Sequence, residues 1–321
     1  MPGKTERYRL ITRSDFDGLV CAMLLKDLGI LDGIKFVHPK DVQDGKIEVT
    51  DQDILTNLPY MPECKLCFDH HASEEIRNSD IETTNYVLDP NAHSAARVLY
   101  DYYGGVERFP DINPEMLDAV DKADSAQFSR IEILDPTGWV LLSFLMDPRT
   151  GLGRFRDFRI SNYELMMDLI DNCKTHTIEE VLELPDVAER VAVYNSHREN
   201  FCNQIAACSS LHGDVVVLDL RSEETIYAGN RFVIYALHPN CNASIHMMWG
   251  LKKQNTVLAI GKSILNKTNP HDIGELALKY GGGGHAAAGT CQVSHGTAEQ
   301  VLSELVESLN ATSQEPLLVP S

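Results

Sequence analysis

Between Tyr8 and Asp89 lie five short β-rich runs, Tyr8 to Thr12, Ile34 to His38, Lys46 to Thr50, Lys65 to Asp69 and Asn85 to Asp89, each about five residues long. The apolar ones lack the strict alternation of a strand that faces water on one side, which is the look of strands covered on both faces and predicts a parallel sheet. Parallel neighbours need crossovers, and Leu19 to Ile30 provides the first, with Leu19, Met23 and Leu24 on one stripe and Gly29 and Gly33 closing it. From Ala92 to about Leu211 the pattern is helical, with starts at Asn113-Pro114, Ser161 and Thr177.

The composition shifts after His212-Gly213. Val215 to Leu220, Ala243 to Leu251 and Thr256 to Gly261 read as strands, His271 to Lys279 and Ala298 to Leu309 as helices, with Gly281 to Gly284 between them and a frayed tail at Ser313 to Ser321. A chain of 321 residues favours two cores over one. The expected fold class is α/β: a parallel-sheet domain with covering helices over 1–190, a helical linker over 191–212, and a smaller α/β domain over 213–321.

Charge narrows the partners. With 28 Lys and Arg against 47 Asp and Glu the net charge is −19, which excludes a basic, histone-like binder and disfavours acidic membranes. No stretch approaches ~18 consecutive apolar residues, so no membrane partner is expected. The start, charged at Lys4, Glu6 and Arg7, lacks the apolar core of a secretory signal, and a cytoplasmic location is expected. The eight cysteines read as reduced thiols; Cys64 and Cys67 have the spacing of half a zinc site, but no second pair matches it.

Chemistry concentrates at predicted strand ends. Asp15-Phe16-Asp17-Gly18 sits between the first strand and the first helix, where open α/β sheets bind ligands. Two such carboxylates suit Mg²⁺ or Mn²⁺, although Asp17 alone could serve as a helix cap. Asp51 and Asp53 follow the run Lys46 to Thr50, and Asp69-His70-His71 follows Lys65 to Phe68. Three strand ends that each deliver Asp or His crowd one rim with groups that a cation makes electrostatically comfortable. Asp124, on a helical segment, is a further acidic candidate.

Asp15-x-Asp17-Gly18, Asp51, Asp69-His70-His71, Asp124-Ser125-Ala126 and, far downstream, Gly281-Gly282-Gly283-Gly284-His285-Ala286-Ala287-Ala288-Gly289 together resemble the DHH phosphoesterase superfamily with its C-terminal DHHA1 domain. The resemblance implies a phosphoesterase that uses one or two Mn²⁺ or Mg²⁺ ions and metal-activated water. It implies that Asp51 bridges the ions, that Asp17, His70 and Asp124 complete one metal site, that Asp15 belongs to the other, and that His71 faces the phosphate. It assigns Gly282, Gly283, Gly284 and His285 to holding the rest of the substrate, with Lys262-Ser263 standing where family members carry Arg-Ser. Arg13 and Ser94 are further phosphate-binding candidates, Ser94 serving equally as a helix cap. The chain departs from the pattern at Ile11, where many members carry a metal-binding His; Asp53 or His38 could replace that ligand, or one tight ion could suffice. The substrate class implied is a phosphodiester or phosphomonoester of a small nucleotide or short oligonucleotide, with inorganic polyphosphate, or a non-catalytic phosphate or nucleotide sensor, as the alternatives. A homodimer is allowed.

Overall fold

The strands of the first sheet are β1 (Tyr8–Thr12), β2 (Leu31–Phe36), β3 (Asp53–Thr56), β4 (Leu66–Asp69) and β5 (Tyr86–Leu88), all parallel in the order β2-β1-β3-β4-β5. The computed structural model of the protein describes residues 6–71, 84–155 and 157–311. Two compact units divide the chain, residues 1–128 with 135–195 and residues 129–134 with 196–321.

In the first unit α1 (Phe16–Asp27) is buried from Phe16 to Leu25, which is why its sequence is apolar around most of its circumference. It packs against α2 (Ala95–Tyr102), α3 (Pro114–Asp124), α4 (Gly138–Met146) and α5 (Asn162–Thr175). Four of the expected runs contain strands. The fifth, Lys46 to Thr50, does not: the strand in that part of the chain is β3, which begins at Asp53. Ile47 and Val49 lie partly buried on a cluster that includes Ile11, Leu55 and Cys67, so their alternation reflects packing without a ladder. Asp53 to Thr56 is buried throughout and pairs with β1 on one side and β4 on the other.

The segment 191–212, expected to be a helical linker, is helical to Cys208 as part of the 24-residue α6 (Pro185–Cys208) and then forms β6 (Ser209–His212). The second sheet adds β7 (Val215–Asp219), β8 (Ala243–Trp249), β9 (Thr256–Lys262), β10 (Gly283–His285) and β11 (Ala288–Val293), in the order β10-β11-β9-β8-β7-β6. Only β7 and β8 pair in parallel. One face is sealed by α7 (Ile273–Leu278) and α8 (Ala298–Asn310), whose Ile273, Leu305 and Leu309 meet Val217, Ile245 and Leu258. The edge strands β6 and β10, and β11, were not foreseen from the sequence. The expected frayed tail at 313–321 lies outside the described residues. Among the described residues no helix is long and apolar enough to cross a membrane, and the eight cysteines are free thiols.

Candidate active site

Because the first sheet is parallel, all its strands end on one rim, and the loops leaving β1, β3 and β4 deliver polar side chains there. β1 leads through Arg13 into α1, with Asp15 as N-cap accepting from the Gly18 N–H at 3.1 Å. The turn is so tight that a Cβ on Gly18 would lie 2.1 Å from the Arg13 carbonyl oxygen, which only glycine allows. Asp17, in the first turn of α1, is 2 % exposed. One of its carboxylate oxygens accepts the Ala96 N–H at the start of α2 at 2.8 Å, and the other accepts Asn57 Nδ2 at 2.7 Å.

Asn57 follows β3 directly and sits at φ +54, a left-handed conformation that Asn tolerates better than most residues. Its amide nitrogen also lies 3.3 Å from each carboxylate oxygen of Asp124, the last residue of α3, and its amide oxygen faces Arg13 Nη1 at 3.5 Å. The Arg13 guanidinium lies 3.1 Å from Asp15. β4 ends on Asp69, whose carboxylate accepts the His70 N–H at 2.8 Å, the His71 N–H at 3.3 Å and the Tyr86 hydroxyl at 3.3 Å, and lies 2.7 Å from His71 Nδ1. His70 Nε2 stands 2.5 Å from an Asp124 oxygen. Both side chains of this pair are largely buried, at 9% and 12% exposed.

The electrostatics follow from that crowding. Burial, then Asp124 and Asp15, push Asp17 up to about 7. Asp15 is also raised, chiefly by burial, against the pull of Arg13. Burial alone would raise Asp124, but His70 and Arg13 hold it down at about 2, while Asp124 holds His70 up at about 9 against the effect of its own burial. Carboxylates this close raise one another's proton affinity, and an imidazole nitrogen beside them adds to an oxygen-and-nitrogen donor set of the kind that suits a divalent ion. Among the described residues Asp69, His70 and His71 bring ligand atoms within 4.8 Å of one another, and Asp124 lies 2.5 Å from His70, so this part of the rim offers donors that fit a metal ion.

Other expected residues fall elsewhere. Asp51 is exposed on the turn before β3, at the opposite edge of the sheet, because the strand starts at Asp53 and not at Lys46. It cannot bridge ions held at the rim. Asp53 lies at that same far edge, paired with Arg9 at 2.6 Å, and His38 is exposed and caps the Lys40 N–H. Ser94 is fully buried: its hydroxyl caps α2 at the Arg97 N–H and donates to Asp121 at 2.6 Å, so it is engaged within the fold. The side chain missed from sequence is Asn57; the available signal was a polar residue closing a buried run, in the same relation to β3 as Asp69-His70 to β4.

In the second unit Gly281, at φ +73, ends α7, and Gly283 to His285 form the exposed edge strand β10. A Cβ on Gly282 would lie 2.2 Å from the Thr290 oxygen and one on Gly284 2.2 Å from the Ala288 oxygen, so these two glycines serve close packing; Gly283 has open space. The glycine run that the resemblance assigns to substrate holding is thus one strand of an antiparallel hairpin with β11. His285 Nδ1 accepts from the Ala287 N–H at 3.3 Å. Lys262 ends β9 and is bonded through its N–H to the Ala287 carbonyl of the hairpin turn. Ser263 is buried, its oxygen accepting from the N–H groups of Leu265 and Asn266.

Comparison with solved structures finds a pGpG-specific phosphodiesterase, PggH from Vibrio cholerae, at 57% sequence identity and TM-score 0.83, covering 95% of this chain and 99% of that one. RecJ from Thermus thermophilus, solved with Mn²⁺, matches at 12% identity and TM-score 0.50 over 95% of this chain and 52% of that one. CDC45 from Entamoeba histolytica matches at 10% identity and TM-score 0.51 over 95% and 96% of the two chains. The last two likenesses concern the fold alone. No family model and no curated protein matches the chain.

Proposed function

The chain belongs to the DHH/DHHA1 phosphoesterase superfamily, and from that membership we propose that it is a divalent-metal-dependent phosphodiesterase acting on a short linear dinucleotide of the pGpG kind. The observation that carries this reading is the 57% identity to a pGpG-specific phosphodiesterase across nearly the whole of both chains. Hydrolysis of pGpG adds one water across the internal phosphodiester: the water oxygen bonds to phosphorus, the P–O3′ bond breaks, a proton goes to O3′, and two GMP result.

In this reading Asp17, Asp124 and His70 hold the divalent ion, Mn²⁺ or Mg²⁺. When bound, such an ion supplies Lewis acidity toward a phosphoryl oxygen and toward water. The chain's own groups orient and move protons. Asp69, next to His71 Nδ1, keeps the proton on that nitrogen and turns Nε2 outward on a ring that is 40% exposed, where it exchanges a proton with an oxygen of the phosphate ester. The substrate-binding role that the family resemblance gives to the second unit falls to Lys262, Gly283 and His285, and a group that binds without touching the reacting atoms contributes binding energy.

The test is a product assay. Purified protein with Mn²⁺ is offered pGpG, other 5′-phosphorylated dinucleotides, a cyclic dinucleotide and polyphosphate, and the products are separated by chromatography. Conversion of pGpG to GMP, abolished by EDTA, is expected. Failure to cleave any dinucleotide, or release of phosphate from polyphosphate alone, overturns the reading.

A further inference from the structure

The carboxylates of the rim are not neutralised alike. Asp15 has its own cation, the Arg13 guanidinium at 3.1 Å. Asp69 is taken up by two backbone N–H groups, His71 and Tyr86. That leaves Asp17 and Asp124, and between them stands Asn57, a neutral side chain that donates to both. Asp17, Asp124 and the His70 Nε2 that lies 2.5 Å from Asp124 offer two carboxylates and an imidazole, a donor set for one divalent ion. A second ion at Asp15 would have to displace Arg13 and would find there one carboxylate and the amide oxygen of Asn57, while Asp69, which lies with His70 and His71 in a group of possible donors, already accepts from two N–H groups and the Tyr86 hydroxyl. Asn57 is also held in a left-handed conformation, a strain of order 1 kcal/mol that the fold sustains at this spot.

We propose that the site holds a single divalent ion between Asp17, Asp124 and His70, and that Arg13, anchored by Asp15 and Asn57, supplies the second positive charge met by the substrate phosphate. A guanidinium suits the task because its planar fork offers several donors at once, so it keeps Asp15 on one side while its exposed part, 27% of the side chain, receives a phosphoryl oxygen. The inference rests on the metal-dependent phosphodiesterase reading above.

Mn²⁺ titrated into metal-stripped protein, with free Mn²⁺ read by electron paramagnetic resonance, is expected to saturate at one ion per chain. Arg13→Ala is expected to keep that stoichiometry and an affinity within a few-fold, which also reports an intact fold, while kcat/KM on pGpG falls roughly 10- to 100-fold, the scale of one lost charge-assisted contact. Arg13→Lys recovers part of the loss. Two ions per chain in the unaltered protein, or full activity in Arg13→Ala, overturns this inference and leaves the metal-dependent reading standing. No bound ion at all overturns both.

Discussion

The two edges of the parallel sheet carry the same residue types and put them to different use. At the start of β3, Asp53 is 1% exposed, and its oxygens are taken by Arg9 Nε and Nη2 at 2.6 and 2.9 Å and by the Thr50 N–H and hydroxyl at 2.7 and 3.0 Å. Burial alone would raise its pKa; Arg9 and Thr50 outweigh burial and lower it. Beyond the end of the same strand, Asp17 is as deeply buried but faces two other carboxylates, and its pKa is raised. A carboxylate whose fold supplies a cation is a structural strut. One whose fold supplies further carboxylates awaits a cation from outside.

The largest expected effect sharpens that contrast. Asp124→Ala and His70→Ala should each lower kcat/KM on the order of 10³-fold, beyond the 10–100-fold typical of groups that only orient a metal ligand. Each also breaks the buried His70–Asp124 pair, which holds Asp124 down at about 2 and His70 up at about 9, so their metal-free melting temperatures should fall at pH 7; an unchanged melting temperature would show that the pair contributes nothing without the metal. Next in size, Mn²⁺ at about 100 times its Kd should stabilise the unaltered protein by about 2.7 kcal/mol, seen as a rise of a few degrees in Tm, and should leave Asp124→Ala unchanged. A smaller effect belongs to the other edge. Asp53→Asn should cost about 1–2 kcal/mol at pH 7 with activity retained. Because the folded pKa of Asp53 is depressed, its contribution is present above the unfolded value of about 4 and is lost as pH falls through the folded one. The Tm gap between the variant and the unaltered protein should therefore close in acid, and a gap that widens there breaks the strut assignment. Smallest of all, Asp51→Asn should change turnover less than about twofold and stability by less than about 0.5 kcal/mol, as an exposed turn residue does; a rate loss like that of Asp124→Ala would return Asp51 to the site.

The misplacement of Asp51 shows where sequence reasoning stopped. Lys46-Ile47-Glu48-Val49-Thr50 has the alternation and the β-branched residues of a strand, and nothing local reveals that its apolar side chains pack without pairing. Moving the strand to Asp53–Thr56 carries Asp51 from the carboxyl end of a strand to the amino end of the next, across the whole sheet. The carboxylates after β1 and the histidines after β4 were legible because their strands are bounded by the motifs themselves. Asn57 was not, since an Asn after an apolar run reads as an ordinary turn residue. In the second unit a glycine run is ambiguous by nature: absent side chains serve a passing anion and a neighbouring backbone equally well, and only the approaches of Thr290 to Gly282 and Ala288 to Gly284 decide for packing.

The bonds that draw the rim together also set when it comes into being. Asp17 meets Asn57 across 40 residues and the Ala96 N–H across 79, and Asn57 meets Asp124 across 67. Each closure restricts a long loop and is slow to form compared with any helix of the unit. A chain still emerging from its ribosome has no complete donor set until Asp124 has docked, so an ion does not nucleate this fold. With the ligand set proposed above, a retained ion reports that the ends of β1 and β4 and the end of α3 have come together.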